Sequence, residues 1–203
     1  MGKRSSRGRK KATLYDLSRQ SLRPDHRAAY IKELLGESDR AAALVAAAEI
    51  ESYLAHLLMF KFTQLSKEER DEMFFGRNGP LAEFGDRINV AYGLGAIDAG
   101  ERDDLHSIRR IRNAFAHSVI PLTFENELIA KECERLSYRD VYGDTSESFG
   151  KPKLRYLFTA LELRKIFGDR AIETVRKDAW ALDDKDVKKQ YLAEIDTILK
   201  RDT

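Results

Sequence analysis

At 203 residues the chain is long enough for one substantial domain with additional helices and short for two. Charged residues make up 34% of it and mean hydropathy is −0.52, which predicts a water-soluble, cytoplasmic protein. No apolar run is expected to approach the roughly 18 residues of a membrane span, so no membrane partner is expected either.

The first 12 residues read as a basic, disordered tail. Lys3, Arg4, Arg7, Arg9, Lys10 and Lys11 all precede the first acidic residue, so the net charge of +2 covers a mildly acidic body behind a basic arm. Such an arm binds a polyanion without reading sequence, or serves only to keep the chain in solution. Gly2 and Ser6 formally fit a myristoylation pattern, but a basic tail is the simpler reading. Residues 13–203 are then expected to form a single helical domain.

Short amphipathic helices are predicted from Leu14 to Leu22 and from Asp25 to Leu35, the second following Pro24 and ending at Gly36. Ser38 caps a long helix from Asp39 to about Phe62. Its first half, Ala41 to Ala48, is small and apolar on nearly every face, the pattern of a central helix. Ser66 with Glu69 makes a capping box for a helix ending near Phe75. Gly76, Asn78, Gly79 and Pro80 mark a tight turn, and a helix is expected from Leu81 to Leu94. Asp98 with Glu101 opens the next helix, which reaches about Ala116; Pro121 stops any continuation. A helix over Asn126 to Leu136 follows, then a loop from Tyr142 to Lys153. Pro152 opens another helix that Gly168 is expected to interrupt, and a last amphipathic helix carries Val187, Tyr191, Ile195, Ile198 and Leu199. The fold class is therefore all-α, a multi-helix bundle.

The single cysteine, Cys133, excludes an internal disulfide framework and reads as a small buried apolar residue. His26, His56, His106 and His117 have no zinc-site spacing, and no metal or cofactor is expected. The Gly93-x-Gly95 pair lacks the preceding strand a phosphate loop needs and reads as a helix-ending turn.

The segment 105–117 is the most informative. On a helical wheel Leu105, Ile108, Ile111 and Phe115 form the core face. His106, Arg109, Arg110, Asn113 and His117 fall within about 100° of one another on the opposite side. Donors, fixed positive charge and imidazoles on one stripe suit a phosphate; an ordinary solvated face has the same look. Arg112 sits at the edge of the apolar face. A guanidinium there needs a carboxylate, and Asp39, Glu49, Glu51 and Asp86 are the candidates. Arg112-Asn113-Ala114-Phe115-Ala116-His117 also has the form Arg-x4-His. Spacing alone is weak evidence, since chance gives roughly 0.4 such pairs in a chain of this composition.

This segment resembles the Arg-x4–6-His motif of the HEPN superfamily, all-α proteins that include many metal-independent ribonucleases and toxins. A longer set of blocks is similar to the mannitol operon repressor (MltR) family. These blocks are Glu37 to Leu44, Gly79-Pro80-Leu81, Arg87-Ile88 with Tyr92-Gly93-Leu94-Gly95, and Ile111 to Ser118. They cover about residues 37–120, with looser similarity to about 165 in the helix after Pro152. The basic tail lies outside this pattern. The repressor resemblance implies a helical bundle and a role in transcriptional control.

Two functions follow. The first is a regulator or repressor that acts through a partner protein, because no helix-turn-helix with an exposed basic recognition helix is evident. The second is a ribonuclease in which a ribose 2′-oxygen attacks the adjacent phosphate without a metal. His117 is then the acid or base, Arg112 the charge stabiliser and Asn113 an orienting group. One motif offers one histidine, so a homodimer joining two motifs is what the HEPN resemblance implies. Within one regular helix Arg112 and His117 point about 140° apart. They converge only if the helix unwinds near Ala116 or two chains meet.

Overall fold

Seven helices carry the fold in the computed structural model, which describes residues 27–62, 64–137 and 151–181. They are α1 (Arg27–Gly36), α2 (Asp39–Met59), α3 (Lys67–Phe75), α4 (Phe84–Gly93), α5 (Ala99–His117), α6 (Glu127–Glu134) and α7 (Pro152–Ala181). The described part is 74% helical and contains no strand, so the all-α bundle stands. The basic tail, the expected helix at 14–22, the loop at 142–150 and the last amphipathic helix lie outside the described residues.

The sequence of α2 places it at the centre. Ser38 accepts a hydrogen bond from the Ala41 amide and starts it. Ala42, Ala43, Ala46, Ala47, Ile50, Leu54, Leu57 and Leu58 are all buried, against α1, α4, α5 and α7. Alanine at the first four positions lets neighbouring backbones approach closely. By length and composition α2 would also qualify as a membrane span, contrary to the sequence expectation, which overlooked how few charges this stretch carries. Half of that stretch is buried inside the bundle, as in the core helix of a globular fold. The helix stops at Met59, three residues early. Lys61 and Phe62 amides bond to Leu58 and Met59 carbonyls, tightening the last turn, and Phe62 swings out to meet Phe74 edge-on at 5.8 Å.

Both expected capping boxes form, at Ser66/Glu69 and Asp98/Glu101. The second also ties the bundle together: Glu101 receives both arms of Arg170 from α7, at 2.6 and 2.8 Å. Helix α4 begins at Phe84 rather than Leu81. The Leu81 amide bonds back to the Met73 carbonyl, and the Leu81 and Ala82 carbonyls turn toward Arg87 instead of starting a helical ladder. The intervening turn is so tight that a Cβ on Gly79 would lie 2.4 Å from the Met73 carbonyl oxygen. The helix expected to reach Leu136 ends at Glu134, where the last amides bond three residues back.

Gly168 does not interrupt α7. A Cβ there would stand 3.3 Å from Tyr53 on α2, so this glycine serves close helix packing. Arg164, one turn earlier, lies over the same tyrosine at 4.8 Å and pairs with Glu49. At the other end of the α2–α7 contact, Phe115, Phe124 and Tyr156 stack in sequence at 4.9 and 5.3 Å, and the Tyr156 hydroxyl donates to the Ala43 carbonyl. Asp39 accepts from the Phe124 amide and pairs with Lys153, joining the start of α2 to the segment after α5 and to α7. Cys133 is buried among these helices; burial pushes its thiol up to about 12, with Glu132 adding and Arg155 opposing.

Candidate functional site

Helix α5 divides its residues as its periodicity requires. Leu105, Ile108, Ile111 and Phe115 are fully buried, while Arg110 and His117 are exposed and His106, Arg109, Arg112 and Asn113 are intermediate.

Arg112 finds its carboxylate in Glu51 of α2, at 3.0 Å, one of the four candidates. Glu51 gives its second oxygen to Arg87 of α4, at 3.2 Å. One carboxylate thus joins three helices and answers two guanidinium groups. Arg87 is the more deeply placed, at 5% exposure, and also donates to the carbonyls of Leu81, Phe74 and Ala82 at 2.6, 2.6 and 3.0 Å. Burial pulls the Arg87 guanidinium below its ordinary value, and Glu51 and Glu83 pull it back. The side chain of Arg112 keeps 28% exposure, with its guanidinium 6.0 Å from the Phe84 ring. Sequence reasoning missed Arg87 as a buried cation. The signal was available: Arg87 sits beside Ile88 within the Phe84–Ile88–Ala91 apolar stripe of α4, as Arg112 does on α5.

Asn113 and His117 stand on the other side of α5. Among the described residues no side-chain hydrogen bond holds either. The helix does not unwind near Ala116: the Ser118 amide still bonds to the Ala114 carbonyl at 3.1 Å. Arg40, also unremarked in the sequence, closes this end by donating to the Ser118 and Ile120 carbonyls at 2.7 and 3.3 Å. Within one chain, therefore, Arg112 turns inward to Glu51 while His117 faces out, and the two do not form a joint site.

The three remaining candidates on α5 separate. Arg110 is engaged by Glu132 of α6, at 2.6 and 2.9 Å, and by Ser107, so its charge belongs to the α5–α6 contact. Arg109 lies across the helix pair against Gly85 of α4, where a Cβ would be 3.4 Å from its guanidinium, and its Nε is buried with no partner. His106 has its pKa lowered by partial burial and by Arg109, Arg110 and Arg102, with Asp103 opposing. Lys3, Arg4, Arg7, Arg9, Lys10 and Lys11 lie outside the described residues. A cleft of about 380 Å³ lies at the opposite end of α5, bordered by Lys61, Asp98 and Arg170. Asp98 and Arg170 there already serve the α5 cap, and no residue of the Arg-x4-His segment lines it.

Compared with protein-family models, with curated proteins and with solved structures, the chain finds no match.

Proposed function

We propose that this protein is a cytoplasmic regulatory binding protein of the mannitol operon repressor type, a homodimer that acts on transcription through a partner protein, with residues 1–11 supplying affinity for nucleic acid. The engagement of Arg112 by Glu51 carries the choice against a nuclease. A transition-state phosphorane needs a cation preorganised toward the reacting phosphate. Here the arginine of the motif is turned to an internal carboxylate and its histidine to solvent. The ordered sequence blocks over 37–120 support the regulator, and the basic arm offers contacts to phosphate that fix no sequence.

The alternative is a HEPN-type, metal-independent ribonuclease with a composite site from two chains. One observation favours it: Asn113 and His117 stand on the same open side of α5, and Arg112 retains partial exposure, so a second chain has access to all three.

Incubation of the protein with labelled RNA in EDTA separates the readings. A binding protein leaves RNA intact and still binds nucleic acid or partner. EDTA-resistant cleavage that gives 2′,3′-cyclic phosphate ends and disappears in His117→Ala would overturn the regulator reading, because His117 lies outside the core and its loss leaves the fold in place.

A further inference from the structure

Helices α4 and α5 are antiparallel neighbours, and their outer faces match in register. Tyr92 of α4 lies under Arg102 of α5, with the guanidinium 4.4 Å from the ring centroid. Seven residues along each helix, Gly85 lies under Arg109. The two pairs are about 10 Å apart along the helix axes. Between them fall exposed Asn89 on α4 and half-buried His106 on α5.

The two arginines differ. Arg102 donates two bonds to Asp103, at 2.9 and 3.1 Å, which offset its charge and fix its plane over Tyr92. Tyr92 is 42% exposed, so the pair is a held aromatic–guanidinium plate at the surface. Arg109 has no carboxylate partner among the described residues, and the missing side chain at Gly85 lets its guanidinium lie flat against α4. Asp86 falls about 100° off the stripe that carries Gly85, Asn89 and Tyr92. Partial burial, and then the cations around it, favour the neutral form of His106, which beside Asn89 offers both a donor and an acceptor.

We propose that this α4–α5 face binds a single strand of nucleic acid, with a base stacked on the Tyr92–Arg102 plate, a backbone phosphate on Arg109, and Asn89 and His106 against the intervening nucleotide. The inference rests on the binding-protein reading and names a second site for it, distinct from the basic arm. A single strand is favoured over a duplex because the face is rich in stacking surface and poor in charge. Only one of its arginines is uncompensated, whereas a duplex presents stacked bases with hidden faces and rewards many phosphate contacts.

The test is fluorescence anisotropy of the full chain with labelled single-stranded RNA, single-stranded DNA and duplex DNA of equal length, across a salt series. Tyr92→Leu should weaken single-strand binding roughly 5- to 100-fold and leave duplex binding unchanged. Arg102→Lys keeps the charge and loses the plane, so affinity should fall with no change in salt slope. Arg109→Gln should reduce the slope by about 0.7 on single strands. Stronger loss on RNA than on DNA identifies contact with the 2′-hydroxyl, and equal loss a strand of either sugar. All three side chains lie outside the core, and unchanged helical melts verify the fold. Absence of single-strand binding by the parent protein overturns the inference, as does binding that all three variants retain while deletion of residues 1–11 abolishes it. Both results leave regulation through a partner protein standing, since EDTA-resistant RNA cleavage, and not loss of single-strand binding, overturns that reading.

Discussion

At Glu51 one carboxylate serves two guanidinium groups of unequal burial, and the asymmetry fixes what each substitution should do. Arg112→Ala removes a partly exposed partner and leaves Glu51 still paired with Arg87. Its cost is that of one charge-assisted hydrogen bond, about 1.5–3 kcal/mol, toward the lower end because water reaches the pair. Glu51→Gln leaves both arginines without their anion, and Arg87 is buried beneath three carbonyls that cannot neutralise it. That change should cost about 3 kcal/mol or more. Urea melts of the two variants check the order; a Glu51→Gln protein as stable as Arg112→Ala would mean that the carbonyls alone suffice for Arg87. The same asymmetry explains what the sequence withheld. That Arg112 needs a carboxylate follows from its place on the wheel, but choosing Glu51 over Asp39, Glu49 or Asp86 needs the packing of α2 against α5. Asp39 and Glu49 have other partners, Lys153 with the Phe124 amide and Arg164.

Helix starts fixed by a capping box were legible, and limits set by packing or by a tightened last turn were not. The Ser66/Glu69 and Asp98/Glu101 boxes close within four residues, so their helices begin where the sequence says. The start of α4 depends instead on Arg87, which Glu51 and the Phe74 carbonyl hold in place, drawing the nearby Leu81 and Ala82 carbonyls aside, a demand of packing that propensity does not show. Gly168 misled for the same reason: its intrinsic cost in a helix reads as a break, while its contact with Tyr53 supplies the purpose. Alanine at 168 gains about 1 kcal/mol of helix propensity and needs Tyr53 to yield only a few tenths of an ångström. Gly168→Ala should therefore be close to neutral. Gly168→Leu pushes a full side chain into the α2–α7 contact and should destabilise by about 1–3 kcal/mol. Thermal melts of both variants test this; an unchanged Gly168→Leu protein would show that α7 does not press on α2 at this point.

Across the whole molecule, α2 is the element most others need. It touches α1, α4, α5 and α7, whereas α3 and α6 are helices of nine and eight residues at the periphery. Short helices hold little intrinsic stability and depend on one docked face. The Phe115–Phe124–Tyr156 stack, the Tyr156 hydroxyl on Ala43 and the Glu51 bridge all converge on α2, so opening it requires releasing α4, α5 and α7 together. Native-state hydrogen exchange should follow that hierarchy. Amides of Ala46, Ala47, Ile50 and Leu54 should exchange only through global unfolding, with protection that falls in urea at the full equilibrium slope. Amides of α3 and α6 should exchange faster, through local openings nearly independent of urea. In Glu51→Gln the protection of α2 should drop by the same free energy as the melt, because nothing smaller than the whole bundle exposes those amides. If α2 instead exchanges through a local opening while α5 and α7 stay protected, α2 is not the common core, and the inward turn of Arg112 to Glu51 is then one of two interchanging states of the motif.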